Sequence, residues 1–439
     1  VSSLFPKSED SSEANNKVRS NKGIFTSGFI FLVLVTVASG FDFLSKTLLS
    51  RAGRSYLAEV QALGSMGFVL MCPMMAFQLT LARAVATMRV KVSLRWVASF
   101  LVWVLPRAAI LGITYFFILA LLTGFLGNYL HIQSGIIIPL FFLYLGLLWI
   151  VLTIYGFLQG LKRFLYLGIL MAGFALGRML LTYFFVTVFS LSTTWAITTY
   201  VLPNFIIFLL AIPFVRSLNR LKGSENKPGI TGEELKYHLH YYWIMLFSLL
   251  AVYGLKYLPL VLSKHYLQDA AGELYSLMNL GEIFYLFALM ISSVMFPYVV
   301  ERTERERNTR ILLLGSMGVM LVITLVGTFF VAMFPDILVR LFGPDYSVVQ
   351  GYVPVIGLVV LPLSWLYILN QYFLARHRVG FMWCLYLGII IQVLLIMLLH
   401  RSIVHFLLIT TLVNLFFCGV LVLLGLIGSR RMPLLDLKT

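Results

Sequence analysis

Residues 270–310 read AAGELYSLMNLGEIFYLFALMISSVMFPYVVERTERERNTR, and their reading decides the fold. An Ala-Gly turn opens the stretch. About 25 mostly apolar residues follow, enough to cross a bilayer as one helix at roughly 20 residues per span. Glu282 is the one acid inside that run, and an ionisable group there is costly unless it faces protein or water. Arg302, Arg305, Arg307 and Arg310 then close the segment and mark an end that faces the cytoplasm.

The rest of the chain repeats this grammar. Of 439 residues, 60% are hydrophobic and only 11% charged, with a mean hydropathy of +0.95. Soluble domains carry about 25% charged residues, so this is a multi-pass membrane protein. The apolar runs are continuous rather than alternating, which points to helices and away from a β-barrel. The net charge of +16 reads as basic cytoplasmic loops and not as a nucleic-acid surface. Cys72, Cys384 and Cys418 lie in apolar runs and read as small core residues, not a disulfide framework.

About twelve spans result, near 23–46, 57–82, 96–126, 135–158, 165–189, 195–215, 241–263, 272–298, 311–333, 350–373, 380–399 and 403–427. The expected division is a cytoplasmic tail (1–22) read as disordered, a six-helix lobe (23–215), a cytoplasmic linker (216–240), a second six-helix lobe (241–428) and a tail (429–439). With both termini inside, 24 of the 33 Lys and Arg residues fall on the cytoplasmic side. Six fall outside (Lys46, Arg51, Arg54, Lys264, Arg340 and Arg401), and three lie within spans.

The opening stretch also has an echo. Ala52-Gly53-Arg54-Ser55-Tyr56 opens the second span as Ala271-Gly272-Glu273-Leu274-Tyr275 opens the eighth, at an offset of 219 residues. Arg83 and Arg302 end those spans at the same offset. A second echo at 216 matches Phe157-Leu158 and Lys162 with Phe373-Leu374 and Arg378. Corresponding helices point the same way, so the two halves form a parallel repeat about an axis along the membrane normal.

On these residues the chain resembles the Wzx-type polysaccharide flippases of the multidrug/oligosaccharidyl-lipid/polysaccharide (MOP) exporter superfamily. The likeness rests on AGELYSLMNLGEIFYLFALMISSVMFPYVVE at 271–301, GFLQGLKRF at 156–164, and residues 334–378 with their Leu-Phe-Gly-Pro-x-Tyr turn at 341–346. It runs from Gly23 to about Gly428. The resemblance implies an all-α, MATE-like fold of two lobes in a bacterial inner membrane. It implies alternating access, and a polyprenyl-diphosphate-linked oligosaccharide as cargo.

The residues themselves contain no glycine-rich phosphate loop and no zinc-ligand spacing, so neither an enzyme nor a cofactor is expected. The charges within spans are the informative groups. Arg107, Arg178 and Lys256 are expected to face a water-filled cavity and make it cationic, suited to a phosphate-bearing substrate. Asp42 and Lys46, acid first at i and i+4, are expected to pair within one helix. Glu282 has no cation one turn away, so its partner lies elsewhere, with Lys256 the candidate. A coupling-ion role for Glu282 is the alternative. Prolines such as Pro73, Pro106 and Pro259 are expected to bend spans.

The expected function is therefore export or flipping of a lipid-linked glycan, for which a monomer would suffice and the oligomeric state is left open. Membrane lipids, a glycan polymerase and glycosyltransferases are the partners to expect. An ion-coupled drug exporter is the competing reading, and it would call for cavity acids. A glycan polymerase is disfavoured because the outer connections are short.

Overall fold

The computed structural model describes residues 13–91, 94–132, 135–189, 193–219, 232–304, 308–376 and 378–427. The expected tail 429–439 and residues 220–231 of the linker lie outside the described residues. Every regular element among them is helical. The first half holds α1 (Glu13–Ser50), α2 (Arg54–Leu70), α3 (Cys72–Lys91), α4 (Leu94–Ala120), α5 (Thr123–Tyr129), α6 (Ile137–Gly160), α7 (Phe164–Thr182) and α8 (Thr193–Asn219). The second holds α9 (Gly232–Leu267), α10 (Ala271–Glu304), α11 (Arg310–Met333), α12 (Ile337–Phe342), α13 (Ile356–Ala375), α14 (Met382–Leu399) and α15 (Ile403–Ile427). Among the described residues, eleven helices are long and apolar enough to cross a membrane, and α2 with α3, counted as one broken span, makes twelve.

Two expected boundaries move. Helix α1 begins at Glu13, inside the stretch read as a disordered tail, and runs on to Ser50. Lys46, counted as an outside loop residue, is therefore a buried residue of α1. The expected span 57–82 is two helices bent by 44°. Pro73 explains the bend: it offers no N–H to the carbonyl four residues back, and its ring crowds that carbonyl. The Tyr115 hydroxyl of α4 donates to the Leu70 carbonyl at 2.8 Å, which satisfies backbone exposed at the break.

The packing pattern is duplicated. In the first half α1 packs on α7, α3 and α4 on α6, and α8 on α6 and α7. In the second, α9 packs on α14, α10 and α11 on α13, and α15 on α13 and α14. Lipid is as apolar as these helices, so close van der Waals approach drives their association, not exclusion of apolar surface from water. Helix α6 shows the device. A Cβ on Gly146 would stand 2.9 Å from the Gly112 carbonyl oxygen, and one on Gly156 would stand 2.7 Å from the Gln78 carbonyl oxygen.

The halves meet unequally. Helix α9 lies along both α2 and α3, a seam that reaches Arg83, whose guanidinium sits 4.3 Å from the Tyr241 ring centroid and bonds the Tyr237 hydroxyl. Among the described residues α1 meets α10 over a much shorter length.

Candidate functional site

The buried charges are built up helix by helix. Close packing of α1 on α7 brings Asp42 to Arg178, and the two form an ion pair. One turn on, Ser45 Oγ and Thr182 Oγ1 hydrogen-bond at 2.9 Å and pin the same two helices. A π-helical turn, Tyr183–Val188, follows directly after Thr182. Tyr200 of α8 completes this side: Arg178 donates to its hydroxyl and lies 3.8 Å from its ring centroid. Tyr144 of α6 packs edge-on against Tyr200 at 5.5 Å.

Lys46 carries the network across to the other half. Its ammonium is 3.1 Å from Asp42 and 2.6 Å from Glu282 of α10. Glu282 also accepts from Lys256 of α9 at 2.9 Å and from the Tyr257 hydroxyl at 3.2 Å. The Lys256 ammonium lies over two tyrosine faces, 3.8 Å from the Tyr285 centroid and 4.6 Å from that of Tyr257. Phe68 of α2 stacks on Tyr257 at 4.4 Å, so an apolar contact joins the halves beside the ionic one.

The sequence expectations fare differently one by one. Arg178, Lys256, Asp42, Lys46 and Glu282 come together as one network. The i, i+4 pair of Asp42 and Lys46 forms, and Lys256 is a partner of Glu282. The shorter Lys46–Glu282 bond was not anticipated, because the two residues are 236 positions apart. Arg107 does not join them. It sits on the exposed face of α4 among Trp103, Ile110 and Leu111, bonds the Trp103 carbonyl at 2.7 Å and stacks on the Trp103 ring at 3.7 Å. A long cationic side chain on such a face is stabilised by wrapping onto its own helix.

Arg178 and Lys256, expected to face a water-filled cavity, are buried and ion-paired. Each cation of the network has a carboxylate, since an unpaired charge at this depth would be far costlier than a paired one. The carboxylates are also the more accessible members. Asp42 and Glu282 are 34% and 23% exposed, whereas Lys46, Arg178 and Lys256 are 9%, 5% and 8% exposed. Three cations against two acids leave one positive charge in excess. Arg178 Nε is buried and has no hydrogen-bond partner among the described residues, so donor capacity remains.

The tyrosines are what sequence reasoning passed over. Tyr257 neighbours Lys256 in the chain, and Tyr285 stands one turn from Glu282, so both were within reach of a local search. Tyr200 and Tyr144 lie on other helices and left no local signal. Pro259 frees the Leu255 carbonyl next to Lys256, and Gln392 Nε2 of α14 approaches that oxygen at 3.4 Å. Among the described residues no group of three or more His, Cys, Asp or Glu side chains has the geometry to hold a metal.

In sequence, no family model and no curated protein matches the chain. In three dimensions the likeness spans nearly its whole length. An inward-facing multidrug resistance MATE family transporter of the MOP superfamily superposes with a TM-score of 0.74 at 11% identity, over 89% of this chain and 94% of the other. An outward-facing transporter of the same description gives 0.67 at 12%, over 96% and 99%. A MOP superfamily transporter from Pyrococcus furiosus, described as having a binding pocket of reverse polarity that suggests a different function, gives 0.64 at 12%, over 96% and 99%. The fold of this chain is that of the MATE-type transporters.

Proposed function

We propose that this protein is an alternating-access exporter that flips a lipid-linked, diphosphate-bearing oligosaccharide across a bacterial inner membrane. One observation carries the reading: the network joining the two halves holds more cation than acid, with Arg178 Nε still free to donate. A diphosphate is rich in acceptors and negative charge, and guanidinium and ammonium groups bind it by charge-assisted hydrogen bonds. Its oxygens would compete with Asp42 and Glu282 for Lys46, Arg178 and Lys256. Binding would thereby exchange the Lys46–Glu282 bond between the halves for bonds to cargo. That gives the ligand a differential interaction with two arrangements of the lobes, which a conformational change requires.

The short contact of α1 with α10 supports the same reading, because a lipid tail needs a side on which the halves are not sealed. The basic residues supply the orientation: both termini and the ends bearing Arg83 and Arg302 would face the cytoplasm. The two six-helix lobes would be 23–215 and 241–428, joined by a linker at 216–240. A glycan polymerase and glycosyltransferases would be the partners on either side of the flipping step.

The second reading, an ion-coupled exporter of small cationic compounds, is favoured by the greater exposure of Asp42 and Glu282. One experiment separates the two. Arg178→Ala and Lys256→Ala are expected to abolish surface glycan at normal protein level, with Arg107→Ala at the wild-type level. Normal glycan in both cluster variants, together with drug resistance on overexpression that depends on Asp42, would replace the first reading by the second.

A further inference from the structure

At the end opposite the arginine-rich one, the two copies of the repeat touch each other at equivalent positions. Arg54 and Glu273 correspond at the offset of 219, and Arg54 Nη1 bonds Glu273 Oε1 at 2.6 Å. Glu273 is buried, so this is not a loose surface pair. The backbones meet too. A Cβ on Gly272 would stand 2.5 Å from the Arg54 carbonyl oxygen and 3.3 Å from the Arg54 Cα, an approach that only glycine permits.

Contacts of the same kind flank the pair. Ser50 Oγ donates to the Phe342 carbonyl at 3.0 Å, and the Tyr346 hydroxyl donates to the Ser50 carbonyl at 3.3 Å. On the other flank the His265 ring stacks on Tyr129 at 4.1 Å, and its Nδ1 lies 2.7 Å from the Tyr129 carbonyl oxygen. These contacts join the first half to the second, and the start of α2 to the start of α10 is their centre.

We infer that Arg54, Glu273 and Gly272 form a latch that holds this end of the transporter shut and must break for it to open. The duplication placed the same turn on both sides of the pseudo-twofold axis. Opposite charges at the equivalent position then turn a contact between copies into an attractive one. The seam of α9 with α2 and α3, which continues to Arg83, would serve as the axis about which the halves part. The device acts on the lobes whatever the cargo is, so it stands independently of the substrate reading.

The test uses the full chain in lipid nanodiscs, with Cys72, Cys384 and Cys418 replaced by alanine. Spin labels go on Leu121, 85% exposed after α4, and Phe334, 60% exposed after α11, and the inter-label distance distribution is measured. Arg54→Glu, Glu273→Arg and Gly272→Ala are each expected to lower the ratio of short to long distances at least about fivefold, a typical coupling between states. The charge-swapped double variant R54E/E273R is expected to restore the short distance, which also shows that the single variants fail by charge and not by misfolding. Unchanged distributions in the single variants, or a double variant no more closed than they are, would overturn the latch.

Discussion

Helices α2 and α3, over residues 54–91, and helix α10, over residues 271–304, are two copies of one element that have taken different tasks. The first copy is broken by 44° and carries Pro73 just after the break. At the corresponding place the second copy has Ser292, and α10 runs unbroken for 34 residues. The second copy carries Glu282, which joins the halves through Lys46; its counterpart in the first copy is Leu63, fully buried in the core. One copy became a broken element packed along α9 and the other a continuous bearer of charge. Equal address in a repeat thus fixes where a helix lies, not what it does.

Giving each copy the other's residue tests that contrast. Glu282→Leu installs the first copy's residue, leaves the buried Lys256 ammonium without a carboxylate and leaves Lys46 with Asp42 alone. We expect a loss of about 3 kcal/mol, the low end for breaking a buried ion pair because the carboxylate is 23% exposed. Unfolding in mixed micelles checks it. The double variant E282L/K256M is expected to recover most of that stability but not transport, since an apolar pair replaces the ionic one while Lys46 keeps Asp42. Full transport in the double variant would mean that the charges serve folding alone.

Ser292→Pro transplants the break. The proline would free the Ala288 carbonyl and kink α10 where it packs on α13, at a cost of about 3 kcal/mol or slightly less if lipid-side adjustment helps. A wild-type melting temperature would show that the continuity of α10 at this position is incidental. The smallest effect is expected at Tyr115→Phe, which removes one hydrogen bond to the Leu70 carbonyl at the existing break, about 1 kcal/mol. A loss several times larger would make that bond the main support of the bend.

Much of the fold was legible, and the candidate site only in part. Asp42 with Lys46, and Lys256 with Glu282, could be paired from helix periodicity and from neighbouring spans. Arg107 and Arg178 gave the same signal in the chain, a lone cation in an apolar run, yet one is exposed on α4 and the other buried behind Asp42 and Tyr200. In a soluble helix the apolar stripe reveals the inward face. In a bilayer both faces of a helix are apolar, so the sequence carries little record of which one meets protein.

What the sequence determined by itself was therefore the helical class, the number and approximate ends of the spans, and the duplication. Each span must satisfy its own backbone in lipid, and that requirement acts locally along the chain. Tertiary structure alone decided that Lys46 reaches Glu282. It also decided that Arg54 faces Glu273 across the axis of the repeat and that Arg107 stands apart. Those outcomes depend on which helices come within a few ångströms of each other, and steric fit at positions such as Gly146, Gly156 and Gly272 settles that approach.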